Sequence, residues 1–305
     1  MGNTLRVAVG QLLHANSDTL YRNLQVLGQG GNATTFLAMA TSGDNRGVPF
    51  AIKVFRNLAK PERQASFFEE QRFLEHCEHP SIMRTYDAGI YGKKYHFIVA
   101  EYLPETLEQV IHSNQTQSIV KVSYALQLLS ALAFLAGQAS PVIHRDIKPQ
   151  NIFVKGRSCV LGDFGLMKLV NKNNDNEELN PFKESIGAGM PFGYRTPDQV
   201  AYFNRQASIT PKSDIFQLGL VLAELFTGKN PEKPNACFSD PVELEELGLI
   251  QDSPPQAELI AMYISQMLEM NPQKRKDSIY FLDQWDGIFK TMVKQTHDKG
   301  GRAIW

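Results

Sequence analysis

Several polar side chains that could do chemistry lie close together in the stretch VIHRDIKPQNIFVKGRSCVLGDFG, residues 142–165. Asp146 is a carboxylate that could accept a proton from a substrate, and Lys148 adds a positive charge two residues later. Asn151 and Asp163 offer oxygen atoms, which are the ligands that Mg²⁺ takes when phosphates share its site. The pattern therefore predicts a cation site beside a proton acceptor.

The apolar residues around these groups predict the elements that position them. Ile152, Phe153 and Val154 form one run, and Val160 and Leu161 form a second. Both runs are typical of short buried strands, which would present the polar groups from a hydrophobic base. The plain alternative is two adjacent strands whose loop residues have no catalytic role.

The order HRD-x-K-P-x-N, followed by DFG, resembles the catalytic segment of the eukaryotic-type (Hanks-type) serine/threonine protein kinase family. The resemblance covers roughly residues 20–290 and implies an α+β fold with two lobes. A lobe with an antiparallel sheet and one main helix would comprise 1–103, including a leader over 1–23. A mainly helical lobe would comprise 104–295, with a tail at 296–305. ATP would bind in the cleft between the lobes, together with Mg²⁺.

The resemblance gives each polar group of the segment a role. Asp146 would orient the attacking hydroxyl and accept its proton, and Lys148 would stabilise charge on the transferring phosphoryl group. Asn151 and Asp163 would bind Mg²⁺ and thereby the nucleotide. Lys148 also favours serine or threonine substrates, because tyrosine-specific relatives have a different residue there.

A glycine cluster near the start of the chain lies between two runs of alternating apolar residues, which predicts a hairpin. Gly28, Gly30 and Gly31 would let backbone N–H groups approach an anion, although a plain glycine turn explains the same sequence. The stretch resembles the kinase glycine-rich loop, with Ala33 at its third glycine and Thr35 at its valine. The resemblance implies that the three glycines contact ATP.

The run VPFAIKVF, residues 48–55, alternates as a strand and puts Ala51 and Lys53 on one face. In isolation, an exposed strand lysine is the simplest interpretation, but a buried one needs a partner. The run resembles the family's Val-Ala-Ile-Lys strand. The resemblance implies that Lys53 contacts the α and β phosphates and that Ala51 lies against the nucleotide.

The next helix offers a partner for that lysine. Pro61 suits a first helical turn, and Phe67, Glu70, Leu74 and Cys77 recur at helical spacing. Glu70 is therefore a carboxylate on an apolar stripe, where a surface glutamate is the less favoured interpretation. It also stands where the family's helix carries the glutamate that pairs with the strand lysine.

Residues 81–103 read as two further strands that end the first lobe. By resemblance, Glu101 and Leu103 lie in the hinge that bonds the adenine edge through its backbone. Ala100 takes the gatekeeper position. Because alanine is small, we expect an open space behind the adenine.

Apolar residues at helical spacing predict helices over 105–139, 213–228, 258–270 and 278–293, and a shorter one near 241–247. The first of these is expected to be a core helix of the second lobe.

The resemblance also implies contacts between distant parts of the chain. Asp214 would brace the catalytic-loop backbone, or serve only as a helix N-cap. Arg275 would pair with Asp198, which stands where the family has glutamate. Arg145 would hold a phosphorylated Ser185, although an unmodified serine is an equal alternative.

Composition limits the partners and the compartment. At 305 residues with net charge −1, the chain shows no polyanion-binding surface, so no nucleic acid is expected. Cys77, Cys159 and Cys237 lack metal-ligand spacing, which predicts a packing role in a reduced, cytoplasmic compartment. No apolar run is expected to reach the roughly 20 residues of a membrane helix, and no signal peptide is evident.

The expected activity is an ATP-dependent transfer of the γ-phosphoryl group to serine or threonine hydroxyls of proteins, including the chain itself through self-association in trans. Pro191 stands where such kinases usually have a threonine, so peptide specificity stays open. One rival is a pseudokinase scaffold, which usually lacks one of the residues above. Another is a small-molecule phosphotransferase of the aminoglycoside-kinase type. A third, a different nucleotide-binding module, would need the Gly-x-x-x-x-Gly-Lys-Ser/Thr motif, which the sequence lacks.

Overall fold

The computed structural model describes residues 7–30, 33–56, 61–170, 193–252 and 254–298. These residues form two compact units. Unit 1 extends to Glu78 and adds Met83–Pro104, and unit 2 comprises His79–Ile82 and the chain from Glu105 onward. Unit 1 is rich in strands and unit 2 in helices, which confirms the predicted α+β class.

Unit 1 is built on a six-stranded antiparallel sheet with strand order β1-β2-β3-β4-β6-β5. The strands are β1 (Leu12–His14), β2 (Leu20–Gln29), β3 (Ala33–Ala40), β4 (Pro49–Phe55), β5 (Thr85–Tyr91) and β6 (Tyr95–Glu101). Helix α1 (Pro61–His76) begins at the predicted proline. The stretch over 1–23 that was expected to be a leader instead contains β1 and the start of β2, and β1 pairs with β2.

Alternation along the strands puts one set of side chains into the core of unit 1. Along β4, Phe50, Ile52 and Val54 are buried on one face, while Ala51 and Lys53 are half-buried on the other. The buried set belongs to a continuous apolar cluster with residues of β1, β2, β3 and β6. The lysine face of β4 is thus held by a packed layer beneath it.

Unit 2 contains short strands and most of the helices. Its elements are β7 (Glu105–Thr106), α2 (Leu107–Ser113), α3 (Ser118–Ala136), β8 (Val142–Ile143), a 3₁₀ turn (Pro149–Asn151), β9 (Ile152–Lys155), β10 (Ser158–Leu161), β11 (Lys168–Leu169), α4 (Pro197–Phe203), α5 (Lys212–Thr227), α6 (Ala257–Met267) and α7 (Ser278–Asp298). β10, β9 and β7 form one sheet, and β11 pairs with β8. The two strands predicted inside residues 142–165 are confirmed as β9 and β10.

Of the helix predictions in unit 2, the one over 105–139 is wrong in part and the one near 241–247 is wrong. The expected helix over 105–139 is divided into β7, α2 and α3, because Thr106 and Gln109 form a capping box and Asn114 ends α2 with φ of 46°. No helix forms over 241–247. That stretch is extended, and its backbone pairs with the segment around Glu232, including a bridge from Glu232 to Leu244.

Helix α3 (Ser118–Ala136) corrects the expectation that no apolar run approaches membrane-spanning length. By length and composition it could cross a membrane, and it is the one such helix within the described ranges. A buried core helix meets the same criterion, so this is weak evidence. Leu128, Leu129 and Leu132 of α3 are buried, and the helix packs against β10, α5 and α7.

The three cysteines are free thiols. Cys77 and Cys159 are buried, which confirms their predicted packing role. Cys237 is exposed, so the packing prediction is wrong for this residue.

Candidate active site

The predicted lysine–glutamate pair forms within unit 1. Lys53 Nζ lies 3.4 Å from Glu70 Oε1, and Glu70 is buried on the α1 stripe with Phe67 and Leu74. The ammonium group also lies 5.1 Å from the centroid of the Phe55 ring. The predicted pairing is confirmed. It holds the Lys53 side chain against α1, and a quarter of that side chain remains exposed.

Two alanines lie next to Lys53 on its side of the sheet. Ala51 shares that face, and Ala100 of β6 lies directly opposite Ala51. The register of β4 and β6, which was not predicted from the sequence, places the two alanines opposite each other. The open space expected behind the adenine stays a prediction.

The glycine turn and the end of β6 contain the other residues of unit 1 that are expected to contact the nucleotide. Gly28 pairs with β3, and the Gly30 N–H donates to the Ala33 carbonyl at 3.0 Å. Glu101 ends β6, and Leu103 is buried. The contacts of these residues with a nucleotide stay predictions, and Gly31 lies outside the described residues.

The catalytic segment of unit 2 brings three predicted side chains together. Lys148 Nζ lies 3.0 and 2.9 Å from the two carboxylate oxygens of Asp146. Asn151 Nδ2 donates to Asp146 Oδ2 at 2.8 Å and to the Asp146 backbone carbonyl at 2.9 Å. The carboxylate of Asp146 is therefore held by two donors in a defined direction.

Burial changes the acidity of this carboxyl group. Desolvation raises the pKa of Asp146 to about 6, while Lys148 and the hydrogen bond from Asn151 hold it down, and the charge of Asp163 raises it. The group is therefore largely ionised at neutral pH, as a proton acceptor must be. An acceptor whose pKa lies near the working pH is well matched to this task.

Asp163 follows β10 and has a backbone φ of 58°, which is uncommon for a non-glycine residue. Its side chain is exposed, whereas the neighbouring Phe164 is buried and packs edge-on against the His144 ring. His144 in turn contacts the Gly162 carbonyl at 3.1 Å. A buried aromatic pair thus anchors the turn that presents the Asp163 carboxylate to solvent.

Asn151 and Asp163 suit a magnesium ion that is shared with phosphates. Mg²⁺ keeps several waters and needs only one or two protein oxygens when phosphates supply the rest. Asn151 uses its amide nitrogen on Asp146, so its carbonyl oxygen is the atom left for a cation. In the part of the chain that the structure describes, no group of three or more His, Cys, Asp or Glu residues could hold a metal alone.

Asp214 braces the backbone of the catalytic loop, as the resemblance implies. Its two carboxylate oxygens accept the His144 N–H at 2.7 Å and the Arg145 N–H at 2.9 Å. Burial raises the pKa of Asp214 to about 7, while these backbone donors hold it lower. The alternative role as an N-cap is not observed, because Pro211 occupies that position.

The pair between Arg275 and Asp198 is also confirmed. Arg275 Nη1 lies 2.9 Å from Asp198 Oδ2, and both side chains are buried. The shorter aspartate therefore still reaches the arginine. The predictions for Ser185 and Pro191 fall outside the described residues.

Sequence reasoning missed a second buried ion pair and two glutamines. Arg195 Nε lies 2.8 Å from Glu232 Oε1, with both side chains almost fully buried. Gln199 and Gln217 donate to the Arg145 carbonyl. Only Gln217 left a signal, because it is a polar residue in an apolar helix, three residues after Asp214 and thus on the same side.

Comparisons with known proteins agree with this geometry. Residues 21–282 match the protein kinase domain family. A serine/threonine-protein kinase WNK of Caenorhabditis elegans is 33% identical over 216 residues, which cover 67% of this chain and 11% of that protein. A probable serine/threonine-protein kinase PknB of Lactococcus lactis is 30% identical over 216 residues, which cover 69% of this chain and 32% of the relative.

U-box domain-containing protein 34 of Arabidopsis thaliana is 29% identical over 215 residues, which cover 68% of this chain and 25% of that protein. The matched part is thus a third or less of the length of each of these relatives. The family match spans most of the present chain, from β2 to α7. The chain therefore belongs to the eukaryotic-type protein kinase family.

Proposed function

We propose that this protein is an ATP-dependent serine/threonine protein kinase that uses Mg²⁺. The observation that carries the proposal is the Asp146 carboxylate, which Lys148 and Asn151 hold between them with a pKa of about 6. A scaffold without chemistry has no need for a buried, oriented proton acceptor beside a cation. Membership of the protein kinase family supports the same activity.

Unit 2 would supply the groups that act on the substrate hydroxyl. Asp146 would accept the hydrogen bond of the hydroxyl, turn its oxygen toward the phosphorus, and take up the proton as the new bond forms. Lys148, which contacts both Asp146 oxygens, would stabilise negative charge on the transferring group. Bound through Asn151 and Asp163, Mg²⁺ would neutralise phosphate charge.

Unit 1 would supply the grip on the nucleotide. Lys53 would bind the α and β phosphates, and Glu70 would keep its ammonium group in position. Ala51 and Ala100 would give space for the adenine, and Gly28 and Gly30 would let the backbone approach the phosphates. Glu101 and Leu103 would bond the adenine edge through their backbones.

Serine and threonine specificity is supported by Lys148 and by the similarity to the WNK and PknB relatives, which are named as serine/threonine-protein kinases. We further propose that the protein phosphorylates itself in trans, with Ser185 as the acceptor. A cytoplasmic location fits three cysteines that are all free thiols. Protein substrates are the expected partners, with no nucleic acid and no membrane.

The test is transfer of label from γ-labelled ATP to a generic protein substrate and to the protein itself, followed by phosphosite mapping. We expect Asp146→Asn and Lys53→Met to stay folded, as judged by circular dichroism, and to lose transfer by at least about 100-fold. Asp283→Asn, at an exposed position on α7, is the matched control and should transfer as the parent does.

Three outcomes would contradict the proposed kinase activity or the role of Asp146. ATP binding without transfer would favour the scaffold. Label on an aminoglycoside but not on protein would favour the small-molecule phosphotransferase. Transfer that survives in Asp146→Asn would refute the assigned proton acceptor.

A further inference from the structure

Gln217 lies in the middle of α5, where nearly every neighbour is apolar and buried. Its own side chain is almost fully buried, and every hydrogen-bonding group of its amide is used. Oε1 accepts the Ile147 N–H at 3.1 Å, and Nε2 donates to the carbonyls of Arg145 at 3.2 Å and Tyr194 at 2.8 Å. All three partners are backbone groups, so the buried amide of Gln217 fixes the position of those groups.

Two of the three partners lie on either side of the proposed proton acceptor. The Arg145 carbonyl belongs to the peptide group before Asp146, and the Ile147 N–H belongs to the peptide group after it. Each peptide group is planar, so the orientations of these two planes determine the backbone dihedrals of Asp146. Those dihedrals in turn set the direction in which the Asp146 carboxylate points.

The backbone at this position needs such support. Arg145 has a φ of 68°, a left-handed conformation that is unfavourable for a non-glycine residue. Strained conformations of this kind persist where surrounding contacts over-determine them. Here Asp214 accepts the Arg145 N–H, while Gln199 Nε2, at 2.7 Å, and Gln217 Nε2 both donate to the Arg145 carbonyl.

The third partner connects the catalytic loop to a different segment. The Tyr194 carbonyl lies just before Thr196, which caps α4, and the Tyr194 hydroxyl donates to Glu224 of α5. The same Gln217 amide therefore contacts the catalytic loop and the segment that leads into α4. A shift of that segment would be transmitted to the peptide groups beside Asp146.

We propose that Gln217 is a positioning residue for phosphoryl transfer, which acts through the two peptide groups that flank Asp146. The proposal rests on the proposed kinase activity. It assigns Gln217 no contact with substrate or nucleotide. Its loss should therefore lower kcat for phosphorylation and leave the KM for ATP nearly unchanged.

Gln217→Met tests this directly, because methionine keeps the length of the side chain and removes its donors and acceptor. We expect kcat to fall about 10- to 100-fold, as a small displacement of a catalytic group does. The KM for ATP should stay within about twofold of the parent value. Both parameters are measured on protein whose folded fraction has been determined by circular dichroism.

Gln127→Met is the matched control. Gln127 also bridges backbone and side-chain groups: it accepts the Cys159 N–H at 2.9 Å and donates to the Arg157 carbonyl at 3.1 Å. These contacts hold β10 to α3 and do not involve the catalytic loop. Gln127→Met should lose stability and keep its kcat within about twofold of the parent value.

Gln217→Glu gives a second, independent readout. A protonated glutamic acid has an acceptor and one donor, so it restores two of the three contacts, whereas the ionised form repels the Arg145 and Tyr194 carbonyls. The ratio of its kcat to the parent kcat should therefore rise as the pH falls from 8.5 to 6. A residue that only fills space would give a ratio that does not change with pH.

Amide hydrogen exchange separates this proposal from the proposed function, since it needs no activity. The Ile147 N–H should exchange faster in Gln217→Met than in the parent, and not in Gln127→Met. A folded Gln217→Met protein with kcat within about twofold of the parent overturns the proposal. If that variant does not fold, a pH-independent ratio for Gln217→Glu overturns it instead. An inactive parent with the expected exchange pattern would refute only the kinase activity.

Discussion

The buried ion pair between Arg195 and Glu232 makes a strong prediction about stability. Glu232 uses both carboxylate oxygens on Arg195, one for Nε at 2.8 Å and one for the backbone N–H at 2.9 Å. Arg195 Nη1 also donates to the carbonyls of Cys237, Phe238 and Asp240. One side chain thus fastens the segment before α4 to the connection that follows α5.

Arg195→Met should lower the free energy of unfolding by about 3–5 kcal/mol, because it leaves the Glu232 carboxylate buried without a counter-charge. The Cys237 and Asp240 carbonyls are partly buried and the Phe238 carbonyl is buried, so the loss of their charged donor can only add to this destabilisation. With a urea dependence of about 2–3 kcal/mol/M, a loss near 4 kcal/mol moves the unfolding midpoint down by roughly 1.3–2 M. Trp285, which is fully buried in unit 2, reports the transition by fluorescence.

The loss should grow as the pH rises. Burial already raises the pKa of Glu232, while Arg195 holds it down. Without Arg195, the folded-state pKa rises further above that of the unfolded chain, so the folded protein binds the extra proton at low pH. Stability that depends on a raised carboxyl pKa is present below the unfolded-state pKa and is lost as the pH rises through the folded-state pKa.

Lys233→Met is the matched control, since the exposed pair of Lys233 and Glu243 joins the same connection and should contribute less than about 1 kcal/mol. The double variant Arg195→Met/Glu232→Met removes both charges and should recover part of the loss. A loss below about 1 kcal/mol in Arg195→Met, or simple additivity in the double variant, would refute the reasoning.

Three further predictions concern catalysis, packing and inhibitor binding. Since the pKa of Asp146 is raised to about 6, kcat/KM for phosphorylation should fall below pH 6. Lys148 holds this pKa down, so Lys148→Met should move the fall in kcat/KM to higher pH. A fall at the same pH in the variant would count against Asp146 as the acceptor. Gly219→Ala should lower the free energy of unfolding by about 1–3 kcal/mol, because the added Cβ would lie 3.0 Å from Leu268 Cδ2. Gly287→Ala is the control: the position is in open space on a helix, so the free energy of unfolding should rise by about 1 kcal/mol. Equal urea midpoints for the two variants would contradict this prediction. Because Ala100 lies opposite Ala51, we expect an open space for bulky purine-based inhibitors, which should bind the parent well and Ala100→Phe poorly; equal inhibition would contradict this prediction.

Local patterns predicted much of the fold and the separate parts of the site. The 3-4-3 spacing of the α1 stripe predicted the burial of Glu70, and strand alternation put Lys53 on the opposite face from the β4 core. The pairing of Arg275 with Asp198 came from the family resemblance rather than from any local pattern. These successes concern positions where periodicity or a motif carries the information.

The failures concern contacts between distant residues. The stretch over 241–247 is rich in leucine and glutamate and reads as a helix, but its backbone groups pair with the segment around Glu232 instead. The partners of Gln217 in the catalytic loop are about 70 residues away in sequence. Sequence periodicity does not predict which backbone carbonyl a buried amide will hydrogen-bond, because tertiary packing determines the partners.

The order of elements along unit 2 also affects how the protein must be made. Helix α3, with its long apolar surface, is synthesised well before α7, the helix that packs on it near the end of the chain. A nascent chain that stops before Ser278 has β10 and α5 but lacks α7, so the part of the α3 surface that α7 covers stays exposed, and the chain should recruit chaperones or aggregate. Shortened versions of this protein that remove α7 should therefore accumulate in inclusion bodies rather than as active fragments.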